Sequence, residues 1–197
     1  VEVFGAVDAA VVGVDDGVPR CPWAGAAPGT MRDYHDHEWG VPVRDQQGLF
    51  ERICLESFQS GLSWAVILRK RERFREVFHG FDPVAVAAYD ASDVARLMAD
   101  AGIVRNRRKI EAAVGNARAV LELDGGLSEL LWSFAPAGRP APVTVADVPA
   151  TTEESAAMAT ALKARGFGFF GPTTAYALMQ ATGMVDDHLA DCSARRG

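Results

Sequence analysis

A carboxylate, a set of aromatic rings and scattered thiol and imidazole groups are the parts of this chain whose chemistry can be read before its fold. Glu56 sits in Ile53-Cys54-Leu55-Glu56-Ser57-Phe58, among apolar and small residues, and Trp64 follows it. Just upstream, Tyr34-His35-Asp36-His37-Glu38-Trp39-Gly40 supplies more rings. Residues 34 to 64 therefore suggest an aromatic pocket with one carboxylate. In a partly desolvated cleft that charge would be felt strongly. The plainer alternative makes Glu56 a solvated helix residue and Trp64 part of the core.

A second group of residues suits a metal. His188 and Cys192 in Asp186-Asp187-His188-Leu189-Ala190-Asp191-Cys192 are four apart, so on a helix they share one face. Cys21, with either His35 or His37, would complete a tetrahedral Cys2His2 set and tie the N-terminal segment to the C-terminus. Such a site with four protein ligands leaves no position for water, which makes the metal structural and argues against a zinc hydrolase. The competing reading is two unrelated thiols and exposed histidines. A third feature is Gly166-Phe167-Gly168-Phe169-Phe170-Gly171, followed at once by Pro172-Thr173-Thr174. Glycines allow close backbone approach, and a helix N-terminus offers free N–H groups, so the arrangement suits a phosphate, with Lys163 and Arg165 nearby. A plain connector between helices would look similar.

These groups need elements to hold them. Leu49, Phe50, Ile53, Cys54, Ser57 and Phe58 follow the i, i+3, i+4 repeat, which predicts a helix from about Gln46 to Ser60 ended by Gly61. Trp64 to His79 is amphipathic, with Arg69, Lys70, Arg71, Arg73 and Arg75 on a solvated face. Asp82 is an N-cap with Pro83 at the first helical position, and Ser92 caps a further helix to about Asp100. Arg105 to Leu123 and Leu127 to Phe134 are helical, and 135 to 150 is a loop rich in Pro and Gly. Thr152 opens a helix to Arg165, and Pro172 opens the next. No repeat and no strand-rich region is present, so the fold class is all-α.

The chain has 197 residues, enough for one domain with a sizeable core, and 49% of them are hydrophobic. A net charge of −6 argues against non-specific nucleic-acid binding over the whole surface, though not against a local basic face. Three cysteines, Cys21, Cys54 and Cys192, cannot all pair. With no secretory signal and no apolar run of membrane-spanning length, a cytoplasmic location without membrane contact is expected. Residues 1 to 20 are expected to form a tail, with a single domain over 21 to 197.

Several long motifs occur together in order: RCPWA at 20–24, YHDHEWGVP at 34–42, ICLESFQSGLSW at 53–64, FDPVAVA at 81–87, DAGIVRNRRKIEAAVGNARA at 100–119, LWSF at 131–134, LKARGFGFFGPTTAYALMQATG at 162–183 and DDHLADC at 186–192. In these segments the chain resembles the DNA-3-methyladenine glycosylase I family. The resemblance implies a helix-hairpin-helix fold, with that element at about 162–183 and a structural zinc ion on Cys21, His35, His188 and Cys192. It implies a monomeric hydrolase of N-glycosyl bonds that extrudes 3-methyladenine from alkylated double-stranded DNA and releases the free base. Glu56 then falls at the catalytic pocket carboxylate and Tyr34 and Trp64 at base-binding positions, with Trp23 and Trp39 around them. Gln59 and Leu62 fall beside the gap left by the extruded nucleotide, and Lys163, Gly166, Gly168, Gly171 and Thr173 at the DNA-binding hairpin. The basic cluster from Arg105 to Lys109 would share in facing phosphate. One departure is Met31, where some members have a base-stacking tyrosine. Asp186 and Asp187 stand near a position that carries a catalytic aspartate elsewhere on this fold, and one of them is expected to cap the His188 to Cys192 helix instead. The rival function is a zinc-stabilised DNA-binding module without catalysis.

Overall fold

An apolar stripe sets the centre of the molecule. The computed structural model describes residues 10–13, 16–25 and 29–196. Within them the helices run α1 (Thr30–His37), α2 (Gln46–Gln59), α3 (Trp64–Val77), α4 (Pro83–Ala87), α5 (Ala91–Ala99), α6 (Arg107–Leu121), α7 (Gly126–Trp132), α8 (Glu153–Ala164) and α9 (Pro172–Ala181). A two-residue antiparallel ladder pairs β1 (Val12–Gly13) with β2 (Pro19–Arg20), and the architecture is otherwise helical. From Leu49 to Gln59 every residue of α2 is buried, with α3, α6, α7 and α9 packed around it. Of the expected tail, residues 1–9 and 14–15 lie outside the described residues. Arg20 is buried and bonds Asp36 and Asp16. No helix among the described residues is long and apolar enough to cross a membrane.

Local signals account for most of the helix ends. Asp45 caps α2 by accepting from the Gly48 amide at 2.7 Å, Asp82 caps α4 with Pro83 behind it, and Thr152 caps α8. Gly166 closes α8 at φ +86°, a conformation other residues adopt only with strain. The cap of α5 differs from the expectation. Asp90, not Ser92, accepts from the amides of Ser92 and Asp93, because its extended backbone places the carboxylate over the first turn. Asn106 caps α6, which therefore starts later than its apolar pattern suggests.

Two further expectations change. The segment from His188 to Cys192 is a series of turns and not a helix, because its amides find distant partners: Ala190 donates to the Pro142 carbonyl at 2.8 Å and Leu189 to Cys21 Sγ at 3.4 Å. Gly183 ends α9 just before it, at φ +69°, where a Cβ would meet the Pro42 nitrogen at 2.6 Å. Arg71, expected on a solvated face, reaches inward and forms two bonds with Glu38 at 2.7 and 2.8 Å.

Lys109, expected beside the arginines of a basic face, also turns inward. It is buried, and its Nζ donates to the carbonyls of Phe58 and Ser60, where α2 runs out of amide partners. Burial depresses its pKa. A lysine here offsets the negative end of α2 and holds the turn to α3. Lys109→Met leaves both carbonyls without this donor, so an expected loss of about 2 kcal/mol should lower the melting temperature by roughly 4–8 °C. Calorimetry on the two proteins checks it, and equal melting temperatures would rule the contact out as a stabiliser.

Candidate active site

Five segments converge on one recess. The turn Pro22–Ala24 brings Trp23, α1 brings Met31 and Tyr34 with Trp39 just beyond it, α2 brings Glu56 and Gln59, and α3 opens with Trp64. Ala177 and Gln180 of α9 complete the wall. The empty space of the recess is about 410 Å³, including the part open to solvent. Its rings are set at angles to one another. Tyr34 and Trp64 lie 5.2 Å apart at 51°, and Trp23 and Trp39 lie 4.9 Å apart edge to face. All five sequence-predicted pocket residues, Trp23, Tyr34, Trp39, Glu56 and Trp64, are brought together here, and Met31 takes its place in the same wall.

Glu56 is not a solvated helix residue. It is 5% exposed, and no group among the described residues donates a hydrogen bond to its carboxyl. Burial pushes its pKa up to about 8, opposed only by Arg52 one turn earlier. Arg52 cannot pair with it fully because Glu38 holds that guanidinium at 2.9 Å and receives Arg71 as well. The indole N–H of Trp64 is also buried without an acceptor. Two unpaired polar groups in one apolar recess are costly in an empty site and useful once a ligand supplies the partners.

The recess adjoins a groove built on the connection between α8 and α9. Gln59 and Ala177 border both, and the groove continues along Ser60, Lys163 and the run from Phe167 to Thr174. Gly166 and Gly168 lie in the turn at 165–171, and Gly171 is the N-cap of α9. No side chain caps α9, so the amides of Thr173 and Thr174 point out of its first turn. Lys163 is exposed at the other end of the turn. Leu62, 38% exposed, stands at the tip of the α2–α3 connection, where Gln59 Nε2 donates to its carbonyl at 3.0 Å. Asn116, absent from the expected set, fixes the α8–α9 turn to α6: it accepts from the Gly168 amide at 2.7 Å and donates to that residue's carbonyl. Its only signal in the sequence is a polar residue on an apolar helix face.

Behind the aromatic rings lies the thiol and imidazole cluster. The ligating atoms of Cys21, His35 and Cys192 are all within 4.8 Å of one another and buried. His35 Nδ1 is held by Asp36 at 2.6 Å, which turns Nε2 towards Cys192 Sγ, 3.4 Å away. His188 stays outside that group of three. Its ring centroid is 4.8 Å from that of His35, and its Nδ1 is held by Asp186 at 2.7 Å. His37 is exposed and bonds the Asp33 carbonyl, so of the two candidates His35 belongs to the cluster. The Cys21 sulfur, with help from His35, lowers the pKa of Cys192, so that the pair favours one thiolate there. Two sulfurs and an imidazole oriented by a carboxylate are a donor set suited to a tetrahedral metal such as zinc.

The two aspartates before His188 take separate parts. Asp186 accepts from both the amide and the ring of His188, so it braces that residue instead of capping a helix. Asp187 is buried and engaged by Tyr176, Gln180 and Arg139.

A family model described as methyladenine glycosylase matches residues 23–196 of the chain. A DNA-3-methyladenine glycosylase of Haemophilus influenzae is 49% identical over 179 residues, covering 88% of this chain and 96% of the relative. A crystal structure of 3-methyladenine DNA glycosylase I matches with a TM-score of 0.86 at 43% identity, over 90% of this chain and 100% of the other. A variant of a 3-methyladenine DNA glycosylase I, crystallised in complex with 3-methyladenine, matches with a TM-score of 0.85 at 35% identity, over 90% and 98% of the two chains.

Proposed function

The chain belongs to the methyladenine glycosylase family, and on that premise we propose that it is a DNA-repair enzyme that flips alkylated adenine out of duplex DNA and releases 3-methyladenine. The observation that carries this reading is the unpaired, buried Glu56 carboxyl inside a recess of aromatic rings. Methylation at N3 gives adenine a positive charge, so the base is already a good leaving group. Heterolysis of the bond from N9 to the sugar C1′ lets it depart neutral, and water adds its hydroxyl to C1′ and gives up a proton.

What the protein must supply is selection and position. The ring faces of Tyr34 and Trp64, with Trp23 and Trp39 beside them, favour a cationic base. Glu56 accepts hydrogen bonds from that base and, once ionised, stabilises its charge. Any help in activating water is secondary. Gln59 and Leu62 approach the gap left in the duplex, and the Thr173 amide, the hairpin glycines Gly166, Gly168 and Gly171, and Lys163 take the phosphates. Cys21, His35, His188 and Cys192 would hold a zinc ion, whose contribution when bound is structural. The protein is taken to act as a monomer without membrane contact.

The test is chromatography of the bases freed when the purified protein meets methylated duplex DNA. Release of 3-methyladenine with 7-methylguanine retained is the expected result. No release by a folded, zinc-loaded protein would point to the non-catalytic DNA-binding module.

A further inference from the structure

Gln180 is 6% exposed and forms part of the recess wall, yet selection by the rings and Glu56 leaves it without a task. Its side-chain amide has two chemically opposite ends, and what it offers a ligand depends on which end faces the recess. Asp187 decides this. The Asp187 carboxylate accepts from Tyr176 Oη at 2.7 Å and from the Arg139 guanidinium, and it has only acceptor atoms to turn towards Gln180. Gln180 must therefore place its NH2 group there, and Nε2 lies 2.8 Å from Asp187 Oδ2. That leaves Oε1. No donor among the described residues reaches it, it is not one of the sealed unpartnered side-chain atoms, and Gln180 is part of the recess wall.

We propose that Gln180 is a specificity-determining residue, presenting a hydrogen-bond acceptor to the 6-amino group of the bound base, with Asp187 as the positioning residue that fixes its orientation. The idea rests on the glycosylase reading. An exocyclic amine carries two N–H bonds, and Glu56 and Gln180 supply an acceptor for each from the same recess. A guanine derivative has a carbonyl oxygen at that place, and an acceptor facing an acceptor is repelled. Methylated guanines are then refused by the orientation of an amide and not by the size of the recess alone.

The experiment compares 3-methyladenine and 3-methylguanine release from methylated duplex DNA by the native protein, Gln180→Leu, Asp187→Asn and the double variant. Fluorescence titration with free 3-methyladenine runs beside it. Gln180→Leu is expected to lower 3-methyladenine release about tenfold and to raise 3-methylguanine release, which no longer meets a repelling acceptor, so that the ratio falls by more than tenfold. Asp187→Asn can donate to Gln180 and allow its amide to turn, so the ratio falls there too. In the double variant Asp187→Asn adds nothing further to the ratio. Equal losses for both bases in Gln180→Leu would mean a merely structural role and overturn the proposal. An unchanged ratio would do the same while leaving the glycosylase reading intact. A native protein that neither releases nor binds 3-methyladenine would remove both.

Discussion

Glu56→Gln should lower kcat/KM for 3-methyladenine release about 100-fold at pH 8, as expected when a charge-assisted hydrogen bond to a cationic base becomes a neutral one. The variant keeps the shape of the recess and removes only the capacity for charge. Its more telling signature is in the pH profile. In the empty recess Glu56 holds its proton up to about pH 8 because burial disfavours the ionised form. The N3-methylated base is a cation at every pH in the range, so it pairs with the ionised carboxylate and must expel that proton on binding. Since kcat/KM reports the free enzyme's ionisations, it should rise by nearly tenfold per pH unit towards pH 8 and level off above it. The Gln variant should show no such rise. Single-turnover rates from pH 6 to 9 at fixed ionic strength measure this, and a rate that instead falls above pH 8 would make Glu56 a proton donor.

The same carboxyl works against folding. In the unfolded chain it ionises near 4.5, whereas in the fold it stays protonated to about 8. Its contribution is therefore fully present below pH 4.5 and lost as pH rises towards 8. Above that, Glu56→Gln should be the more stable protein by roughly 5 kcal/mol, since every tenfold weakening of an acid on folding is worth about 1.36 kcal/mol. Melting curves at pH 5 and pH 9 check the sign: the two proteins should be closer at pH 5, and an equal gap at both would show that ionisation is not the cause. Low activity with high stability in one variant is the expected mark of a group retained for function.

How much of this was legible in the sequence depends on the distance over which each residue finds its partner. The stripe from Leu49 to Phe58, the caps at Asp82 and Thr152 and the stop at Gly166 are written within a turn or two of where they act, and periodicity and cap chemistry recover them. Tyr34, Glu56 and Trp64 were legible as a set because the motifs around them are dense. Lys109 was not: charge patterning places a lysine among arginines on a solvated face, and only the packing of α6 on the end of α2 shows that it has carbonyls to satisfy. Glu38, Arg52 and Arg71 escaped for the same reason, since the bonds that join them span 14 and 33 positions. His188 and Cys192 show the opposite error. A spacing of four suggests a helix, but the segment spends its amides on Pro142 and Cys21, which no local pattern can see.

Stripping the metal, or Cys192→Ser, should damage the recess as well as the cluster. Trp39 rests edge-on against His188 with centroids 4.6 Å apart, and Trp23 against His35 at 5.0 Å. Trp23 also follows Cys21 by two positions, in the turn Pro22–Ala24. Two of the recess walls are thus held by the same residues that would bind zinc. Structural zinc in small peptides carries apparent energies of roughly 10–16 kcal/mol, comparable with the whole stability of about 5–15 kcal/mol typical of a domain. We expect one zinc per chain by atomic emission in the native protein. In Cys192→Ser the ion should be lost, the melting temperature should fall by about 10 °C or more, and free 3-methyladenine should no longer quench tryptophan fluorescence at concentrations that saturate the native protein. Full binding by a metal-free, folded protein would separate the cluster from the recess and leave Cys21, His35 and Cys192 as a packing contact. The dependence should run one way, because Glu56 sits on α2, whose buried face does not lean on the chain ends. Glu56→Gln should therefore keep its zinc while losing activity, and Cys192→Ser should lose both.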